Sequence, residues 1–135
     1  MLKWVGDKTK FIDVMDITDG FVEAGDILTT PSEVLVGLSA RTDQAGANQL
    51  RTILNNKGYA MRVLKTPSDV LHFKTDCSVI DDNCILSTER LASSGCFDGY
   101  QTLIVPTGED PAANMIRYND YIIMPAGFSK TEAML

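Results

Sequence analysis

Apolar and polar positions change period several times along this chain, and the changes mark out a repeated unit. From Phe11 to Ile17, apolar and acidic residues alternate, which predicts a half-buried strand broken by Asp19-Gly20. Ile27-Leu28-Thr29, the turn Thr30-Pro31-Ser32 and the nearly all-apolar run Val34 to Leu38 read as a hairpin. After Arg41 the period becomes helical. Thr42 or Asp43 can cap, Ala47, Leu50 and Leu54 share a face, and Gly58 stops the helix after Lys57. Tyr59 to Leu64 returns as a strand. The unit is strand, strand, helix, strand.

It then recurs. Cys77 to Ile80 and Cys84 to Ser87 flank the turn Asp81-Asp82-Asn83, a short helix spans Thr88 to Ser94 with Gly95 as its stop, and Gln101 to Val105 closes the unit. A third unit opens with strands at Asn114–Tyr118 and Tyr121–Met124 around Asn119-Asp120, and Ser129 to Glu132 has the S-x-x-E form of a capping box. Two complete units and part of a third predict a repeat architecture with an uncovered face, and hence association, most simply as a homo-oligomer.

Composition narrows the field. The 135 residues suit a single domain, 1–135, with one core. A net charge of −6, with no basic run, argues against nucleic acid as a partner and tolerates a cationic or zwitterionic small molecule. No run is long or apolar enough for a signal peptide or a membrane span, so the expectations are no membrane partner and a cytoplasmic location. Three cysteines, Cys77, Cys84 and Cys96, form no C-x-x-C pair and have a single histidine for company. They read as buried apolar residues in a reducing compartment, and no metal or cofactor is expected.

The candidate chemistry centres on that histidine, His72, in Val70-Leu71-His72-Phe73-Lys74-Thr75. It follows the turn Thr66-Pro67-Ser68-Asp69 and is expected where an extended segment begins. Histidine titrates near neutral pH, so acid-base work would fall to it; the alternative is a half-buried strand-edge histidine bonded to a carbonyl. Glu23 precedes a glycine that permits a tight turn into a strand, and Arg41 stands where a strand hands over to a helix. Separately these read as a solvated turn acid and a surface charge. In the proposed repeat they lie at equivalent ends of successive strands, around one pore.

Several runs together resemble dimethylarginine dimethylaminohydrolase, of the guanidino-group-modifying (amidinotransferase, or pentein) superfamily. These are Glu23-Ala24-Gly25-Asp26, Gly37-Leu38-Ser39-Ala40-Arg41-Thr42, Leu71-His72-Phe73-Lys74-Thr75, Ala112-Ala113-Asn114 and Met124-Pro125-Ala126-Gly127. The spacings of 18 residues from Glu23 to Arg41 and 31 from Arg41 to His72 are similar to the family's. The resemblance implies an α/β fold: a pentein-type α/β-propeller of five ββαβ modules, here partial, with two complete modules and part of a third. It implies that His72 is the general acid-base, that Glu23 orients and charge-stabilises its imidazole, and that Arg41 grips the α-carboxylate of an arginine-like small molecule. Lys74 stands where arginine deiminases carry an aspartate, which resembles the dimethylarginine hydrolases instead.

The chain also departs from the family. The cysteine nucleophile lies near the family's C-terminus, in a segment this chain lacks, and the acids that hold the guanidinium belong to N-terminal modules that are also missing. Nothing around Cys77, Cys84 or Cys96 gives the lowered pKa and adjacent base that a relocated nucleophile needs. The expectation is an incomplete hydrolase, truncated at both ends and inactive alone. The alternative is a non-catalytic binding or assembly protein that keeps the fold and closes by self-association.

Overall fold

The computed structural model describes residues 14–135. Strand β1 (Ile27–Thr29) pairs antiparallel with β2 (Val34–Leu38), helix α1 (Gln44–Asn56) crosses over, and β3 (Met61–Lys65) returns parallel to β2. The second unit repeats this order. Strand β4 (Cys77–Asp81) is antiparallel to β5 (Cys84–Ser87), α2 (Glu89–Ala92) follows, and β6 (Gln101–Ile104) is parallel to β5. A third hairpin, β7 (Ile116–Tyr118) and β8 (Tyr121–Ile123), leads to α3 (Ser129–Met134). These strands form separate sheets of three, three and two strands, and none closes on itself.

Each element has a local cause. Strands β2 and β5 are central in their sheets and covered on both faces, so they read as continuous apolar runs rather than alternations. Helix α1 begins at Asp43, whose side chain accepts from the Gly46 N–H, and ends before Gly58 at φ +84°. The core continues across the units. Leu28 and Leu35 of the first unit pack with Phe73, Cys77, Ile85, Leu91 and Phe97, while Leu86 and Val105 pack with Ala112, Ala113 and Met115 toward the third hairpin. Gly37 makes the first junction close. A Cβ there would stand 2.3 Å from Thr66 Oγ1 and 2.6 Å from Phe73 Cβ, so only glycine lets the segment bearing His72 lie against β2.

Several expectations need correction. Residues 14–17 form no strand, and the rest of the alternating run, residues 11–13, lies outside the described residues. The stretch after His72 is not extended: Phe73–Thr75 makes a single 3-10 turn before β4 begins at Cys77. The third strand of the first unit starts at Met61, not Tyr59, and the third hairpin starts at Ile116, not Asn114. The capping box does not form. Ser129 lies inside α3, and the first amides of that helix, Lys130 and Thr131, donate to Glu109 at 3.2 and 2.8 Å. A carboxylate twenty residues upstream does the capping, which local spacing cannot reveal. Among the described residues no helix is long and apolar enough to cross a membrane.

Candidate active site

Two short 3-10 turns, Ala24–Asp26 before β1 and Phe73–Thr75 before β4, stand side by side and build the site. Phe73 is fully buried in the core, and its N–H donates to Asp26 Oδ1 at 3.0 Å. The residue before it, His72, is extended (φ −137°, ψ 138°), and its carbonyl accepts from Thr75 Oγ1 at 2.7 Å. The backbone on both sides of the imidazole is thus anchored. The ring lies over Gly25, where a Cβ would stand 3.1 Å from His72 Cγ, so this glycine sets how closely the two turns approach.

Only 16% of the His72 side chain is exposed. Its Nε2 lies 3.3 Å from Arg41 Nη1, and its Nδ1 lies 3.8 Å from Asp26 Oδ1. Nδ1 is buried and has no hydrogen-bond partner. Arg41 projects from the turn between β2 and α1, which is held by Ser39: the Arg41 N–H donates to Ser39 Oγ at 3.0 Å, and the Ser39 N–H donates to the Thr42 carbonyl at 3.0 Å. The structure therefore brings His72 and Arg41 together. Glu23 lies on the same turn as Asp26, and its N–H donates to Thr42 Oγ1 at 3.0 Å. Among the described residues, its carboxylate makes no hydrogen bond or ion pair with either His72 or Arg41.

Among the described residues, the carboxylate within ion-pair reach of the imidazole is that of Asp26, a residue to which the sequence assigns no role. It is fully buried and accepts from Ser39 Oγ and Thr42 Oγ1, each at 2.6 Å, besides the Phe73 N–H. The signal was present in the sequence, because Asp26 lies in the run 23–26 and Ser39 and Thr42 in the run 37–42, both of which carry the resemblance. What local spacing could not give was their convergence.

The three thiols are buried and unpaired. Burial pushes Cys77 well above the ordinary thiol range, with Cys96 beside it adding to the effect, and burial raises Cys84 and Cys96 as well. All three are held protonated, so none supplies a thiolate at neutral pH. A cavity of about 620 Å³ lies elsewhere, between the first strands of the three units, lined by Leu28, Ser78, Val79, Ile116 and Arg117. Lys74 borders it and donates to the Met115 carbonyl at 3.4 Å, whereas His72, Arg41 and Glu23 are not in its lining. This cavity is therefore separate from the place where His72 and Arg41 meet.

Residues 3–119 match the family model described as Arginine deiminase. The chain belongs to the arginine deiminase family. Among its relatives is the N(G),N(G)-dimethylarginine dimethylaminohydrolase of Pseudomonas aeruginosa, 37% identical over 112 residues, which cover 83% of this chain and 44% of that protein. The solved structure of that hydrolase, as a cysteine-to-serine variant complexed with citrulline, superposes with a TM-score of 0.80 at 36% identity over 85% of this chain and 45% of the other. An amidinotransferase of the saxitoxin pathway from Microseira wollei shares the fold at a TM-score of 0.61 and 14% identity, over 75% of this chain and 35% of that one. The chain spans less than half the length of each of these proteins.

Proposed function

We propose that this chain carries the acid-base and carboxylate-binding part of a hydrolase acting on methylated arginine or a related guanidino compound. The observation that carries the reading is the contact between His72 and Arg41 in a chain 37% identical to a dimethylarginine hydrolase. In the proposed reaction a cysteine thiolate from outside the described residues attacks the guanidinium carbon. The C–N bond to the leaving amine breaks, and His72 delivers the proton that amine needs. His72 then takes a proton from water as it adds to the same carbon, the C–S bond breaks, and citrulline leaves. Glu23 shares the charge of the imidazolium, and Arg41 turns its planar fork of donors to the substrate's α-carboxylate. That requires Arg41 to leave His72 Nε2, so substrate binding and exposure of the base are coupled. Closure of the separate sheets into a propeller belongs to the same proposal, as does a cytoplasmic location.

The buried, protonated state of all three thiols favours a second reading, a binding or assembly protein without turnover. Exposed apolar residues on the third hairpin, Ile116, Tyr118, Tyr121 and Ile123, support self-association as its mode. Because the chain has one histidine, its imidazole NMR signal is unambiguous. Adding L-citrulline should shift that signal in the wild type and leave it unmoved in Arg41→Ala. A signal that ignores millimolar citrulline in the wild type contradicts the hydrolase reading. The isolated chain should release no amine from asymmetric dimethylarginine.

A further inference from the structure

The internal repeat contains its own control for the buried Asp26. In the second unit Asp76 occupies the corresponding place, directly before the first strand and with its N–H donating to the carbonyl three residues back, Phe73 for Asp76 as Glu23 for Asp26. It accepts from Thr88 Oγ1 at 2.7 Å, as Asp26 accepts from Thr42 Oγ1 at 2.6 Å, and each threonine follows the second strand of its own unit. Two residues beyond Thr88 is Arg90, whose guanidinium pairs with both Asp76 oxygens, Nη2 to Oδ1 at 2.9 Å and Nε to Oδ2 at 2.5 Å. Two residues beyond Thr42 is Gln44, which is exposed and donates to Asn48 instead. Asp26 is thus the same buried carboxylate without its arginine. A buried carboxylate lacking a cation is destabilising unless another group supplies the charge. Among the described residues, the cationic or titratable side chain that reaches it is His72, with Nδ1 3.8 Å from Oδ1.

The other side of the ring points the same way. A guanidinium can only donate, so Arg41 Nη1 at 3.3 Å needs a lone pair on Nε2, and the proton of the neutral ring is left on Nδ1. Nδ1 is the buried nitrogen without a hydrogen-bond partner, on the side of Asp26. We infer that Asp26 is a positioning residue for His72: it holds the imidazole as its Nδ1–H tautomer, with Nε2 free for proton transfer, and balances the ring's charge when it is protonated. The inference rests on His72 being the acid-base group. Asp26 touches no reacting atom. It acts through the ring and, by way of the Phe73 N–H, through the backbone that carries it.

The test is nitrogen NMR of the chain labelled at its single histidine, at a pH where the ring is neutral and with no ligand present. The wild type should show a protonated Nδ1 and an unprotonated Nε2, and Arg41→Ala and Asp76→Asn should keep that pattern. Asp26→Asn, with its fold checked by backbone spectra, should move the proton toward Nε2. A wild-type ring protonated on Nε2 overturns the inference whether or not any variant folds. So does a pattern lost in Arg41→Ala, which would make the arginine its cause, or one kept in a folded Asp26→Asn. The tautomer is read without ligand, so failure here leaves the citrulline response of His72 intact, and failure of that response leaves the tautomer result standing.

Discussion

The first and third units start alike and end differently. Each has a 3-10 turn, a two-stranded antiparallel hairpin and the start of a helix, and their second strands, Val34–Leu38 and Tyr121–Ile123, are comparably apolar. Yet Val34 to Gly37 are buried, while all three residues of β8 are exposed. The difference lies in the neighbours: β2 has β1 on one edge and β3 on the other, whereas β8 pairs with β7 alone. Burial here belongs to the assembled sheet and not to the strand's own sequence. The chemistry follows the covering, since the fully buried Asp26 stands at the head of the first, completed sheet.

The largest expected effect sharpens that contrast directly. Leu35→Ala removes a side chain with no exposure and should lower unfolding free energy by about 2–5 kcal/mol, while Ile123→Ala, at 61% exposure, should stay within about 0.5 kcal/mol by urea denaturation. An equal loss at both positions would break the comparison and mean that the third hairpin is covered in solution. Next in size is the half-buried ion pair of the second unit. Arg90→Ala strands Asp76, and with the guanidinium 44% exposed, solvent screening limits the expected loss to about 1–2 kcal/mol. Arg117→Ala, which removes pairs to the exposed Asp81 and Asp82, should leave thermal unfolding unchanged.

Gly25→Ala acts on the site more than on stability. The added methyl would press on the imidazole, so the His72 signal should move while the unfolding midpoint changes little. The smallest effect concerns α3. Hydrogen bonds from the Thr131 hydroxyl, and to a lesser degree from the Thr131 and Lys130 amides, hold Glu109 below the ordinary carboxylate range. A depressed carboxylate stabilises the fold above its unfolded pKa and loses that contribution as pH falls through the folded one. The protection of the Lys130 and Thr131 amides, taken relative to their intrinsic exchange rates, should therefore fall as Glu109 is protonated on acidification, with the amides of α1 beyond its first turn less affected.

Much of this fold was legible because its signals are local. The hairpin at Thr30-Pro31-Ser32, the helix ended by Gly58 and the turn at Asp81-Asp82-Asn83 all follow from short-range periodicity and turn chemistry. Boundaries failed where a strand begins only once its partner does, as at Met61, whose register is set by Val34. The capping of α3 by Glu109 and the convergence of Ser39, Thr42 and Phe73 on Asp26 were illegible for a stronger reason. They join residues 13 to 47 positions apart through side chains that no local period relates. At the site, the sequence pointed to His72 and Arg41, which do meet. The resemblance implied that Glu23 orients the imidazole, while the carboxylate 3.8 Å from Nδ1 is that of Asp26.

The central claim is that the turn after β2 still holds a grip for the carboxylate of an arginine-like ligand. Calorimetric titration of the purified chain with L-citrulline, beside Arg41→Ala and Arg41→Lys, tests it most directly. The account predicts binding in the wild type, weaker binding in Arg41→Lys and none in Arg41→Ala, because a lysine keeps the charge but loses the two-pronged contact. Equal binding by all three proteins, or no binding to the wild type at millimolar citrulline, would contradict it.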